Sequence, residues 1–285
     1  MDAFSRASAA ALLRAPTATD DKYARGVVGL VTGSHAYPGA AVLGVEAAHR
    51  AGAGMVRHVG PRRVADLVLA RRPETVVQGG RVQSWVLGSG TDPTVRSTSL
   101  RAVLHDALAA GVPVVLDAGA LDLARLGDAP RLLTPHAGEL RTLLGAVGVD
   151  VDREDVEAEP ERWAREAAAR TGATVLLKGA RTIVTDGRRA LVVEAPTHWL
   201  ATAGTGDVLA GLAGALLAAH ADAVADEAGM LVDLGAAAAW LHGEAAARAS
   251  GGGPLVALEV AERVAGVVRD LLAERQGAAA PASAR

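Results

Sequence analysis

Short continuous apolar runs alternate along this chain with longer stretches whose apolar residues fall at helical spacings. The first run, residues 26–34 (Gly-Val-Val-Gly-Leu-Val-Thr-Gly-Ser), has no polar face. Such a run suits a strand buried on both sides of a parallel sheet, here ending in a Gly-Ser turn. Pro38 stands where a first helical residue is tolerated, and Val42, Leu43, Val45, Ala47 and Ala48 predict a helix over Gly39–Ala51. A strand is expected at Met55–Val59 and a helix from Pro61 to Arg71. Strands follow at Thr75–Val77 and Trp85–Leu87, then the turn Gly88-Ser-Gly90, a helix at Val95–Ala110 and a strand at Val112–Leu116 closed by Asp117-Ala-Gly119.

The pattern goes on with a short helix at Leu121–Leu126, a strand at Arg131–Leu133, the turn Thr134-Pro-His136 and a helix at Gly138–Leu144. Asp150–Pro160 is acidic and reads as a surface loop or frayed helix. A helix at Glu161–Arg170 leads to a strand at Thr174–Leu177, then Lys178-Gly179. Two alternating segments, Thr182–Thr185 and Ala190–Val193, flank the hairpin signal Asp186-Gly187. Long helical patterns at Asp226–Ala249 and Leu255–Glu274 complete the chain. The expected organisation is an arm over 1–25 with a short helix at Arg6–Leu13, one α/β domain over 26–276, and a disordered tail over 277–285. Strands alternating with helices make that domain doubly wound, a mainly parallel central sheet with helices on both faces.

Half of the 285 residues are apolar, enough for a large core. The absence of cysteine excludes disulfides and thiolate metal sites and favours a reducing compartment. A net charge of −3 gives no general attraction to nucleic acid or anionic lipid. Met1–Leu13 is too short an apolar run for a signal peptide and Val208–Ala219 too short to span a bilayer, so a cytoplasmic protein is expected. Basic residues are almost all Arg, with Lys only at 22 and 178. A Lys surviving that bias is the better candidate for a specific role.

Candidate chemistry concentrates in residues 200–214, Leu-Ala-Thr-Ala-Gly-Thr-Gly-Asp-Val-Leu-Ala-Gly-Leu-Ala-Gly. Gly204, Thr205 and Gly206 mark a helix entry, where glycines turn successive N–H groups toward one point and the helix terminus adds positive potential. A plain N-cap is the alternative, although a Thr alone would serve one. An anion nest with Asp207 beside it suits a reaction that brings a phosphoryl group to a hydroxyl and removes the hydroxyl's proton. The other suspicious residues sit where a predicted strand has just ended: Ser34 and His35, Gly88–Gly90, Asp117, Thr134–His136, and Lys178-Gly179. In doubly wound sheets that end of the strands carries the ligand. Each has a plain reading as cap, turn or solvated residue; their shared topology argues for one crevice. No P-loop, no dinucleotide fingerprint and no metal-ligand cluster is present, and Arg62, Arg63, Arg71 and Arg72 read as a solvated helix face.

Together the motifs Val31-Thr-Gly-Ser34 with Tyr37-Pro-Gly-Ala-Ala41, Leu87-Gly-Ser-Gly90, Leu116-Asp-Ala-Gly-Ala-Leu121, Leu133-Thr-Pro-His136 with Gly138-Glu139, Leu177-Lys-Gly179 and Leu200–Gly211 resemble the ADP/ATP-dependent NAD(P)H-hydrate dehydratase family. The resemblance covers roughly Lys22 to Ala249 and implies a ribokinase-like fold and a hydro-lyase of cofactor repair. Hydrated NADH or NADPH would be restored at the expense of ADP (or ATP), releasing AMP (or ADP) and phosphate. It implies Asp207 as substrate contact and base, and Gly204, Thr205 and Gly206 as the phosphate hole. Lys178, Gly179, Ala180, Arg181, Thr182 and Gly206 would line the adenine nucleotide, and Ala40, Gly90 and His136 the hydrated nicotinamide. Ser34, Asp117 and Glu139 are further candidates. Mg²⁺ would accompany the nucleotide, with no protein ligands assigned, and the assembly would be a homo-oligomer, up to a tetramer. Three departures stand out: Ser89 for a usual Pro, expected to loosen a turn; Ala137 for a usual Pro; and Thr197-His198-Trp199 in place of Asn-rich sequence. A kinase of the same fold acting on a vitamin-precursor alcohol, or a nucleotide-sensing domain, are the alternatives. ADP versus ATP and NADH versus NADPH are not distinguished.

Overall fold

The computed structural model describes residues 2–227 and 229–279. In chain order, β1 (Asp2–Ala3), α1 (Arg6–Ala11), β2 (Val27–Val31), α2 (Gly39–Arg50), β3 (Met55–His58), α3 (Arg62–Arg71) and β4 (Ser84–Leu87) form the first part. Then come α4 (Thr98–Ala109), β5 (Val114–Leu116), β6 (Arg131–Leu133), α5 (Ala137–Ala146), α6 (Arg153–Ala158), α7 (Pro160–Thr171) and β7 (Thr174–Leu177). The last part is β8 (Arg181–Thr185), β9 (Ala190–Glu194), α8 (Thr205–Ala219), α9 (Ala221–Asp226), α10 (Met230–Ser250) and α11 (Ala257–Ala279). The nine strands make one sheet in the order β1-β9-β8-β7-β6-β5-β4-β2-β3, in which only β8 runs antiparallel to its neighbours. The mainly parallel doubly wound α/β sheet expected from the sequence is therefore the observed one.

Both faces of the sheet are covered, which is why its strands read as unbroken apolar runs. Val28, Leu30, Val86, Val115, Leu132 and Leu176 point into one core with α2, α8, α10 and α11. Val27, Val31, Leu87, Leu116, Leu133 and Val175 point into the other, with α4, α5 and α7. The small residues of α10 are used here: Ala236, Ala237 and Ala238 are fully buried inside their own chain. Gly44 of α2 and Gly211 of α8 let the two helices touch at bare backbone, since a Cβ on Gly211 would collide with the Gly44 carbonyl.

Several expectations are corrected. Thr75–Val77 is not a strand; only an isolated bridge, Arg57 to Val76, pairs there. The helix expected at Leu121–Leu126 is a 3₁₀ segment over Ala118–Leu123. The acidic stretch holds a true helix, α6, closed by a capping box between Asp152 and Asp155. The helix expected at Asp226–Ala249 starts late: α10 begins at Met230, after Gly229 in the left-handed region at φ 90°, and Asp226 instead ends the unforeseen short helix α9. Residues 2–3 add an unforeseen strand beside β9. At the other end α11 runs to Ala279, while 280–285, in the expected tail, lie outside the described residues.

Candidate active site

Five adjacent strands, β7, β6, β5, β4 and β2, run parallel, so their carboxyl ends open on one edge of the sheet. That edge gathers the residues singled out at strand exits. Asp117, after β5, is 2 % exposed. Its Oδ2 accepts from the Ser89 hydroxyl at 2.8 Å, and its Oδ1 accepts from the Thr134 hydroxyl at 2.8 Å and from Lys178 Nζ at 3.0 Å. Glu139 stands on the other side of the ammonium, its Oε2 at 3.6 Å from Nζ. His136 and Lys178 are joined as neighbours by a parallel bridge between the β6 and β7 exits.

His136 also builds the entry of α5. Its Nδ1 accepts the Glu139 N–H at 3.1 Å, while Glu139 Oε2 accepts the His136 N–H at 2.8 Å. That capping box leaves the ring proton on Nε2. Ala137 is the first helical residue after this cap, a position that tolerates Pro but does not need it, so this departure is neutral.

The anion loop is not capped by Thr205. The N-cap of α8 is Gly204, left-handed at φ 89°, and no side chain caps the helix. The Thr205 hydroxyl points backward to the carbonyls of Leu200 and Thr202, at 2.9 and 2.8 Å. Among the described residues the amides of Gly206 and Asp207 have no partner, so they are free to hold an anion. A Cβ on Gly206 would stand 3.5 Å from Lys178 Nζ, which places the ammonium directly against the loop. Asp207, in the first turn of α8, is partly buried. Burial pushes its carboxyl up to about 7; the charge of Asp117 adds to this and that of Lys178 opposes it. Burial pulls Lys178 down, but Asp117, Glu139 and Asp207 outweigh it and hold its affinity for the proton above the ordinary lysine value.

The nicotinamide candidates Ala40 and Gly90 also meet: a Cβ on Gly90, whose φ is 67°, would lie 2.5 Å from that of Ala40. Ala40 rides on α2 at the crossing with α8, since a Cβ on Gly44 would stand 3.4 Å from the Asp207 carbonyl. Gly179, Ala180 and Thr182 line the turn from β7 into β8; the Thr182 hydroxyl donates to the Gly179 carbonyl, and Ala180 accepts from Ala195. Two candidates stand apart. Arg181 turns outward to Glu194 at 3.0 Å, and the Ser34 hydroxyl accepts from the Tyr37 amide within its own loop.

Ser89 is the largest surprise. Expected to loosen a turn, it is 1 % exposed and pins Asp117. His242 of α10 was missed as well: it is buried against the Thr205 backbone, has no partner at Nε2 among the described residues, and is driven down to about 4 by burial. One His in an Ala-rich helix gives no sign of which face it occupies, whereas Ser89 and Thr134 fall within the strand-exit segments singled out in the sequence, though not with the task of holding Asp117.

A family model described as NAD(P)H-hydrate dehydratase (Carb_kinase) matches residues 28–258. The bifunctional NAD(P)H-hydrate repair enzyme Nnr of Mycobacterium tuberculosis (strain H37Rv) is 42% identical over 228 residues, covering 75% of this chain and 46% of that protein. The chain thus spans about half the length of the bifunctional relatives it matches. The ADP-dependent (S)-NAD(P)H-hydrate dehydratase of Xanthomonas campestris pv. campestris is 36% identical over 246 residues, covering 77% of this chain and 82% of that protein. Among solved structures, the ADP/ATP-dependent NAD(P)H-hydrate dehydratase of Bacillus subtilis, co-crystallised with ATP/Mg²⁺, superposes with a TM-score of 0.81 at 25% identity, covering 95% of this chain and 98% of that one. A ribokinase-like superfamily protein of Enterococcus faecalis, at 19% identity and a TM-score of 0.81, shares the fold.

Proposed function

The chain belongs to the NAD(P)H-hydrate dehydratase family, and from that premise we propose that it dehydrates hydrated NADH or NADPH with ADP, or ATP, as the phosphoryl donor. The observation that carries this reading is the single turn of α8 that joins free amides at Gly206 and Asp207 to a carboxylate whose proton affinity suits a base near neutral pH.

The terminal phosphoryl group sits at the Gly204–Gly206 turn, on the free amides of Gly206 and Asp207, with the Lys178 ammonium beside it to compensate its charge. Asp207 takes the proton of the ring hydroxyl as its oxygen bonds to phosphorus and the bond to the nucleotide's leaving oxygen breaks. AMP (or ADP) departs. The hydroxyl, now a phosphate ester, is a good leaving group; the ring nitrogen's lone pair expels it, forming an iminium, and loss of the neighbouring ring proton restores the reduced nicotinamide. Ala40, Gly90 and His136 line the ring's pocket, and Gly179, Ala180 and Thr182 the nucleotide's.

Among the described residues no three His, Asp or Glu side chains stand together as a metal site. The described residues offer no cage for Mg²⁺, which would arrive on the nucleotide's phosphates and offset their charge. Among the described residues no helix is long and apolar enough to cross a membrane; a cytoplasmic setting is part of the reading, on the lack of cysteine. A homo-oligomer, up to a tetramer, rests on the family resemblance alone.

The test is incubation of the protein with hydrated NADH and either ADP or ATP. Regained reduced-nicotinamide absorbance with stoichiometric free phosphate is expected. A stable phosphorylated alcohol would assign a kinase instead, and binding without turnover a sensor.

A further inference from the structure

Lys178 is one of only two lysines in the chain and is faced from every side by titratable groups: Asp117 from the β5 exit, His136 and Glu139 from the start of α5, Asp207 from α8 and His242 from α10. Of these, Asp117 is the one held at both carboxylate oxygens by buried side chains. Both its oxygens accept from buried hydroxyls, Ser89 and Thr134, and its amide donates to the Leu87 carbonyl at 3.0 Å. The backbone around it is built to that end. Gly88, at φ 103°, lies so close to the Asp117 carbonyl that any Cβ would collide with it, and a Cβ on Gly119 would strike the Thr91 carbonyl. Ala118 has φ 45°, the one positive value on a non-glycine among the described residues. Strain kept at one position beside a buried charge marks a place where geometry is over-determined.

We propose that Asp117 is a positioning residue: anchored by Ser89 and Thr134, it holds the Lys178 ammonium against Gly206 so that the cation meets the migrating phosphoryl group. The role rests on the phosphoryl-transfer reading above. It gives the β4 and β5 exits a task that the reaction scheme does not itself require, and it makes Ser89 a working residue. Asp117 acts through Lys178, while its negative charge bears directly on Asp207.

The pair of lysines makes the proposal measurable in the whole protein without turnover. In protein labelled with ¹³C at lysine Cε, two resonances arise, and Lys22→Arg assigns them. In Asp117→Asn the Lys178 resonance is expected to titrate lower than in the unsubstituted protein by about one unit or more, a tenfold loss of proton affinity. Ser89→Ala, which leaves the carboxylate but frees one oxygen, shifts it in the same direction by less, and decides the matter if Asp117→Asn does not fold. In turnover, kcat of Asp117→Asn falls about 10- to 100-fold, and the acid limb of the pH profile of kcat/KM moves to lower pH because Asp207 loses an anionic neighbour. An unmoved Lys178 resonance in both variants overturns the proposal whatever the kinetics. Absence of turnover in the unsubstituted protein overturns the dehydratase reading and leaves the Lys178 measurement standing.

Discussion

In the role proposed for it, Asp207 serves function at the expense of stability. Its carboxyl binds a proton more tightly when folded than when unfolded, so the fold gains from the protonated form below pH 3.8, and that gain is lost as pH rises through about 7. The ionised form that a base requires is the less stable one, by up to about 4 kcal/mol. Asp207→Asn is therefore expected to raise the unfolding midpoint in urea at pH 8, while nucleotide binding persists and turnover falls about 1,000-fold or more. Equal stability of the two proteins at pH 8 would mean that the carboxylate is not strained in the fold. Asp207 was legible from sequence because a glycine-flanked helix start leaves few positions for a base. That Ser89 grips Asp117 and that His242 is buried beside Thr205 were not, since burial and partner are properties of the packed chain.

Among the elements, the crossing of α2 and α8 has the most to lose. Gly211→Ala drives a methyl into the Gly44 carbonyl, and neither backbone can retreat without displacing Ala40 or the Gly204 loop. A loss of about 3 kcal/mol in stability is expected, with a larger proportional loss of activity, as read by urea denaturation and initial rates. Wild-type rates in a destabilised Gly211→Ala would show that the crossing does not position the site. Most elements could be read in advance because strands buried on both faces give unbroken apolar runs, and α2 and α8 follow directly on turn residues. The errors fall where periodicity is silent: the break at Gly229, the 3₁₀ segment after Asp117, and the two-residue edge strand β1, which is too short to have a pattern.

For the molecule as a whole, acid stability follows from its buried titratable groups. Glu46, fully buried in α2, binds Arg50, Arg71 and Arg72, and Arg71 continues to Glu262 of α11, so one carboxylate ties α2 to the end of α3 and to α11. Burial raises its proton affinity, but the three guanidinium groups more than reverse this and bring it down to about 2. Its contribution, on the order of 3 kcal/mol, is present above pH 4.5 and lost as pH falls through about 2. His242, neutral when folded at about 4 against 6.5, takes stability away as pH falls from 6.5 to 4, while Asp207 returns a similar amount over nearly the same range. His49, His58 and His220 are also held below 6.5 by burial and take stability away as the solution turns acid, so stability should decline below pH 6.5 and decline further below 4.5. Glu46→Gln is expected to lower stability at pH 7 by about 3 kcal/mol and to abolish most of the fall below pH 4.5, as measured by thermal unfolding across pH. An unchanged acid limb would place that fall elsewhere.

Where α2 and α8 meet at Gly44 and Gly211, main chain rests on main chain with nothing compressible between. One helix presents Ala40 and the other the Gly204–Asp207 turn, so the spacing between the seats proposed for the ring and for the phosphates is set when the chain folds. On that reading neither guest has to wait for the other to shape its berth, and the two can be greeted in either order.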